Sequence, residues 1–195
     1  MRRPVESWVR GIAALAILWA CVPPAQTGGA NIAPSSIEAP VGVTLVSACT
    51  PSGPELCFNA TDDNCNGVID EGCGLATGPL QFVIAWGDSP ANVDLRVTDP
   101  TGAVVDPQRP TQADGLRIDR DCPRDNCFGQ NVENALFDGT EPPRGKYVVE
   151  ILLTDAKGAS LPVNVRFGAR VGRQTYGADL TLEKRDDKKA FAFTL

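Results

Sequence analysis

An all-β fold is predicted for this chain, an antiparallel β-sandwich over residues 78–195, and three observations predict it. Apolar side chains recur at every second position in several stretches, which places one face of each on a core. Turn-forming residues separate those stretches. No long segment has the periodicity of a helix, and many short strands without helices indicate two packed sheets.

The strands follow in order. An apolar segment ends at Trp86. Val93, Leu95 and Val97 then alternate with Asp94, Arg96 and Thr98 before the turn Asp99-Pro100-Thr101-Gly102. Tyr147, Val149, Ile151 and Leu153 alternate with Val148, Glu150, Leu152 and Thr154. Pro142-Pro143-Arg144-Gly145 precedes them and Asp155-Ala156-Lys157-Gly158 follows. Val163, Val165, Phe167, Ala169 and Val171 alternate with Asn164, Arg166, Gly168 and Arg170. The charged run over residues 184–189 separates Leu180 and Leu182 from Phe191 and Phe193, and reads as an exposed hairpin tip. Trp86 and Tyr147 lie in apolar strands and read as core.

The N-terminal part has a different character. Arg2, Arg3 and Arg10 precede a ten-residue apolar run over residues 11–20, too short to span a bilayer comfortably and suited to a secretory signal peptide over 1–20. Leu18-Trp19-Ala20-Cys21 resembles the bacterial lipoprotein box, which implies lipidation of Cys21 as the first mature residue. Ordinary signal cleavage after Ala30 is the alternative. Residues 21–48 are rich in Pro, Ala, Ser and Gly and read as a flexible tether, with residues 41–46 able to add one short strand.

Residues 49–77 form a cysteine-rich module. The chain has seven cysteines, and lipidation of Cys21 leaves six for three disulfides. The expected pairing is Cys57–Cys65, Cys49–Cys73 and Cys122–Cys127, only the last favoured by its isolation in sequence. Zinc on Cys57, Cys65 and Cys73 is the rival reading; export and spacing favour disulfides.

Inside this module lies a pattern suited to a hard cation. Asp62, Asn64 and Asn66 offer oxygens at alternate positions, and Gly67 follows where the chain must turn. Val68 would add its carbonyl, Ile69 would turn to an apolar contact, and Asp70 and Glu71 follow. An EF-hand would end with a bidentate Glu where this chain has Cys73, and the flanks are not helical. The expectation is a disulfide-closed Ca2+ loop of the extracellular type, with a dissociation constant of roughly 10⁻⁴ to 10⁻³ M. An ion-free Asx-rich turn is the plain alternative.

A second acidic group lies in the sandwich: Asp94, Asp99, Asp119, Asp121, Asp125, Glu133 and Asn134. If their strands end together, several carboxylates crowd one rim, and crowded like charges require a proton or a cation. A second calcium there is one reading; solvated, outward-facing positions of alternating strands are the other.

Two resemblances fit these readings. Residues 54–73 (PELCFNATDDNCNGVIDEGC) resemble the MopE-type metal-binding motif of secreted bacterial proteins; Asn64 and Asn66 stand where that motif usually carries Asp. Residues 80–195 are similar to the YfaP-like family of bacterial exported β-sandwiches. The similarity rests on the strand ending in Trp86, on Val93-Asp94-Leu95-Arg96-Val97-Thr98-Asp99-Pro100, on Leu116, Ile118, Asp119 and Asp121, on Glu133-Asn134, and on Pro143, Gly145 and Tyr147. Neither resemblance implies a known reaction.

Composition narrows the function. The chain has a net charge of −6; without residues 1–20 it keeps 15 Lys and Arg against 23 Asp and Glu, a net −8. That argues against nucleic acid, which needs clustered cations. There is no histidine, so histidine-based triads and histidine-ligated zinc are excluded. No phosphate-binding glycine loop and no nucleophile-elbow serine appear. The sequence reads as a non-enzymatic exported bacterial protein, anchored in the outer membrane by a lipid on Cys21, facing the periplasm or cell surface, or secreted. Its expected partners are calcium and cell-envelope proteins or glycans, with the membrane reached only through the anchor. A calcium-dependent hydrolase and a carbohydrate-binding module are the alternatives.

Overall fold

The computed structural model describes residues 32–195 apart from 48, 113, 125, 126 and 128. The expected signal peptide, the expected lipidation site Cys21 and the acid Asp125 therefore lie outside the described residues. Ten strands and no α-helix are found among the described residues. They are β1 (Ser36–Glu38), β2 (Leu80–Trp86), β3 (Asn92–Thr98), β4 (Val104–Val105) and β5 (Leu116–Arg120). Then come β6 (Val132–Phe137), β7 (Lys146–Asp155), β8 (Val163–Val171), β9 (Gln174–Leu182) and β10 (Lys188–Thr194).

They form two five-stranded sheets, ordered β1-β10-β7-β3-β4 and β5-β6-β2-β8-β9. Every pairing is antiparallel. The expected all-β sandwich is what forms. Its core is the inner face of each sheet: Val93, Leu95 and Val97, Tyr147 to Leu153 at alternate positions, and Val163 to Val171 at alternate positions are all buried. Aromatic rings join the sheets, with Phe167 and Phe191 centroids 4.4 Å apart and Phe82 and Phe193 5.4 Å apart. Such pairs add to the burial of apolar area. Tyr147 and Trp86 are core residues, as expected; the Tyr147 hydroxyl donates to the Pro143 carbonyl and Trp86 Nε1 to that of Ala91.

Three local expectations are corrected. Residues 36–38 lie in the stretch read as tether, yet they form β1 on the edge of the first sheet, because Ile37 lies opposite Phe193 and supplies an apolar contact. Residues 41–46 form no strand; Val46 alone bridges to Gly177. The run 184–189 is no hairpin tip. It carries the chain from β9 in the second sheet to β10 in the first, with Lys188 already in the strand.

The two sheets differ on their outer faces. In β2 and β6 every residue is buried, so both faces of the second sheet's centre are covered. The cover is the cysteine-rich module. Ile69 is 1 % exposed and lies over Gly168, where a Cβ would meet Ile69 Cδ1 at 3.2 Å and the Ala60 carbonyl oxygen at 2.3 Å. Only glycine permits that approach. Gln81 on the same face donates to the Ile69 carbonyl and to Asn134 Oδ1. Module and sandwich thus share one buried interior.

The module is closed by Cys49–Cys65 and Cys57–Cys73, while Cys122–Cys127 ties the loop after β5. The last bridge is as expected. The first two correct the nested pairing Cys49–Cys73 and Cys57–Cys65. Asp70 holds the Asn59 and Ala60 N–H groups and Glu55 those of Asp63 and Asp70, so the segment folds back on itself, and cysteines 16 positions apart come to Cα separations of 5.7 and 5.3 Å, within bridging reach.

Candidate metal loop and acidic rim

The loop of residues 62–67 is built by its own side chains. Asp62 Oδ1 accepts from the Asn66 N–H at 3.1 Å and Oδ2 from the Gly67 N–H at 2.9 Å. Asn64 Oδ1 accepts from the Asn66 N–H, and Asn66 Oδ1 from the Val68 N–H. Each oxygen thus bends the backbone one step further round a common centre. Gly67 makes the tight turn with φ +85°, and a Cβ there would lie 2.9 Å from the Arg173 carbonyl oxygen.

Glu71 closes the ring. Its Oε1 accepts from the side-chain amides of both Asn64 and Asn66. Its Oε2 is buried with no hydrogen-bond partner. A buried carboxylate oxygen without a donor is costly, and a hard cation is one way to satisfy it. The residue types suit that chemistry: Asp62 and Glu71 bring carboxylates, and Asn64 and Asn66 bring amide oxygens that here accept from backbone N–H groups.

Asp70 is not part of this ring. Its carboxylate is fully buried and accepts from the Asn59 and Ala60 N–H groups at 3.2 and 3.1 Å. Burial raises its pKa, and those backbone donors oppose the rise. This corrects Asp70 from ligand to internal brace. The physical reason is the left-handed backbone at Asp70, φ 52°, which turns its side chain toward the first coil of the module. Glu55 and Asp63 are further braces that sequence reasoning missed. Glu55 accepts from the Asp63 and Asp70 N–H groups, and Asp63 from Ser52, Leu56 and Asn59. Burial raises the pKa of Glu55.

The sandwich reaches into the loop as well. Thr175, on β9, donates its hydroxyl to Asp62 Oδ2 at 3.1 Å across 113 residues of sequence. Arg170, on β8, is half-buried; burial lowers its pKa, and the charges of Asp62 and Glu71 oppose that fall.

The acidic rim expected from Asp94, Asp99, Asp119, Asp121, Glu133 and Asn134 divides into three places. Asp99 lies in the β3–β4 turn and accepts from Thr101 and Ala103 N–H groups. Asp119 and Asn134 face the module: Asp119 accepts from the Ala76 N–H and pairs with Arg117, and Asn134 donates to the Ala76 carbonyl. Asp119 follows the inward-facing Ile118 and so turns to the outer face, and Asn134 lies there opposite Val83; the register shift beyond Ile118 sets Arg120 opposite Asn134. Asp94, Asp121 and Glu133 remain neighbours. Glu133 points between the sheets, fully buried, with Oε2 on the Leu95 N–H at 2.6 Å and Oε1 without a partner. Burial pushes its carboxyl well above the usual range; the Leu95 N–H opposes this, and the charges of Asp94 and Asp121 add to it. Arg124 pairs with Asp121.

Among the described residues, no three carboxylates or thiols form a group able to hold a metal ion, so the six-residue second metal set is not assembled. The loop itself brings together two carboxylates, Asp62 and Glu71, and two amides, Asn64 and Asn66. A groove of about 740 Å³ runs along the second sheet beside Val43, Phe58, Trp86, Arg166 and Asp179. Trp86 is only 6 % exposed there, so it offers no stacking platform.

Compared with family models, with curated proteins and with solved structures, the chain matches none.

Proposed function

We propose that this is an exported, non-catalytic bacterial binding protein whose β-sandwich carries a calcium-stabilised loop module, with Cys21 as its lipid anchor. Asp62, Asn64, Asn66, Glu71 and the Val68 carbonyl hold the ion. The observation that carries the reading is the convergence of both asparagine side chains on Glu71, beside its unpartnered buried oxygen. Asp62 and Glu71 are the two carboxylates of this set, and so small an anionic count keeps affinity in the extracellular range of roughly 10⁻⁴ to 10⁻³ M. The ion's role is structural. It neutralises the ring and holds the module on the second sheet. Three disulfides support an oxidising compartment.

Thermal unfolding with EDTA and with 10 mM CaCl2, an excess of about a hundredfold over the tighter limit, tests this. Calcium should add about 2.7 kcal/mol at that ratio and raise the midpoint by roughly 5–10 °C. E71Q should lose most of the shift. Identical melting curves of the wild-type protein in the two buffers would overturn the reading.

A further inference from the structure

The β8–β9 strand pair lies closer to the loop's chemistry than a passive floor would. In the sheet register Arg170 is opposite Thr175 on one side and Gln81 on the other, so the three side chains share the outer face beneath the module. Thr175 holds Asp62 Oδ2. Arg170 Nε donates to the Gly172 carbonyl at 3.0 Å, which fixes the guanidinium beside the β8–β9 turn. The loop rests on that turn, since Gly67 packs against the Arg173 carbonyl. No ion pair within 4.0 Å joins Arg170 to Asp62 or Glu71. Its charge acts across the half-buried interface, where salt screens it less than at a free surface.

We infer that the sandwich sets the loop's calcium affinity: Thr175 positions Asp62, and Arg170 is a resident counter-cation whose charge opposes the incoming ion. The inference rests on the calcium reading above. Without calcium, Arg170 is the positive charge that balances Asp62 and Glu71. With calcium bound, the same guanidinium repels the ion. Its removal therefore has two opposite consequences. The calcium-free protein loses stability, and calcium binds more tightly.

Calorimetric titration of the full chain with CaCl2 at pH 7, with melting in EDTA alongside, tests this. R170Q should bind calcium about three- to tenfold more tightly than wild type and melt lower in EDTA. R170K keeps the charge and should stay within about twofold of wild type on both readouts. T175V should bind about fivefold more weakly, the equivalent of one hydrogen bond. R170M, whose apolar stem suits a half-buried position, carries the same expectation as R170Q should that variant fail to fold. Calcium binding by wild type with unchanged or weaker affinity in R170Q and R170M overturns this inference alone. No calcium binding by wild type removes the reading it rests on as well.

Discussion

The two sheets of the sandwich have the same number of strands and opposite outer faces. The first sheet shows water a charged surface. In β7 buried and partly exposed residues alternate, and Glu150 there pairs with Arg96 and Lys188. The second sheet is covered over β2 and β6, which are buried on both sides. Strand sequence records this difference. One-sided strands alternate, as in Val93-Asp94-Leu95-Arg96-Val97; two-sided strands read as nearly continuous apolar runs, as in Leu80-Gln81-Phe82-Val83-Ile84-Ala85-Trp86. The few polar residues in such a run, Gln81, Glu133 and Asn134, mark the places where another layer must supply hydrogen bonds.

The comparison breaks most sharply where the module meets the second sheet. I69A should cost about 3 kcal/mol in urea unfolding, because it empties a fully buried site with little room to collapse. G168A should cost roughly 2 kcal/mol by forcing the Ala60 carbonyl away. A cost under 0.5 kcal/mol for both would mean that the module does not cover this sheet in solution.

A smaller effect comes from Glu133, which joins the sheets by reaching from β6 to the Leu95 N–H of β3. Burial holds its proton to higher pH in the folded protein than in the unfolded chain, whose carboxyl releases it near 4.5. The folded state then binds more protons, so stability falls as pH rises above that value. Denaturant midpoints measured across about pH 5 to 8 should show this decline, and E133Q should flatten it. A decline of equal slope in E133Q would assign it to other groups.

The smallest effect belongs to the open sheet. R96A removes a 3.5 Å contact with Glu150 from a side chain that is 46 % exposed, and should change stability by less than about 0.5 kcal/mol. A loss beyond about 1 kcal/mol would mean that this face, too, is covered.

Much of this was legible in sequence because strands write their faces locally. The alternation at 93–97, 147–153 and 163–171 gave the inner face, and the Asp62-to-Gly67 spacing gave the loop. Ile69 was read as an apolar contact without the contact being visible. What was illegible depended on long-range register or on backbone twist. Thr175 and Arg170 carry no local mark, since only the docking of the module brings them to Asp62. Asp70 has the same chemistry as a ligand and differs only in a left-handed φ that its neighbours impose. The acidic rim reads as one place because a sequence does not reveal which acids share a face and an end: Asp119 and Asn134 turn to the module, Asp99 stays in its turn, and only Asp94, Asp121 and Glu133 come together. The charged run after Leu182 looks the same whether it turns back within a sheet or crosses to the other.

The order of the cysteines in the two module bridges has one more consequence. In the pairing observed, the partners interleave along the chain: 49 with 65, and 57 with 73. A peptidase that nicks the backbone once on each side of the segment from Cys57 to Cys65 leaves that segment covalently held to both neighbours. A nested arrangement would have let the same two nicks free it as a small ring. Interleaving thus keeps residues 57–65 attached after damage that would otherwise shed them.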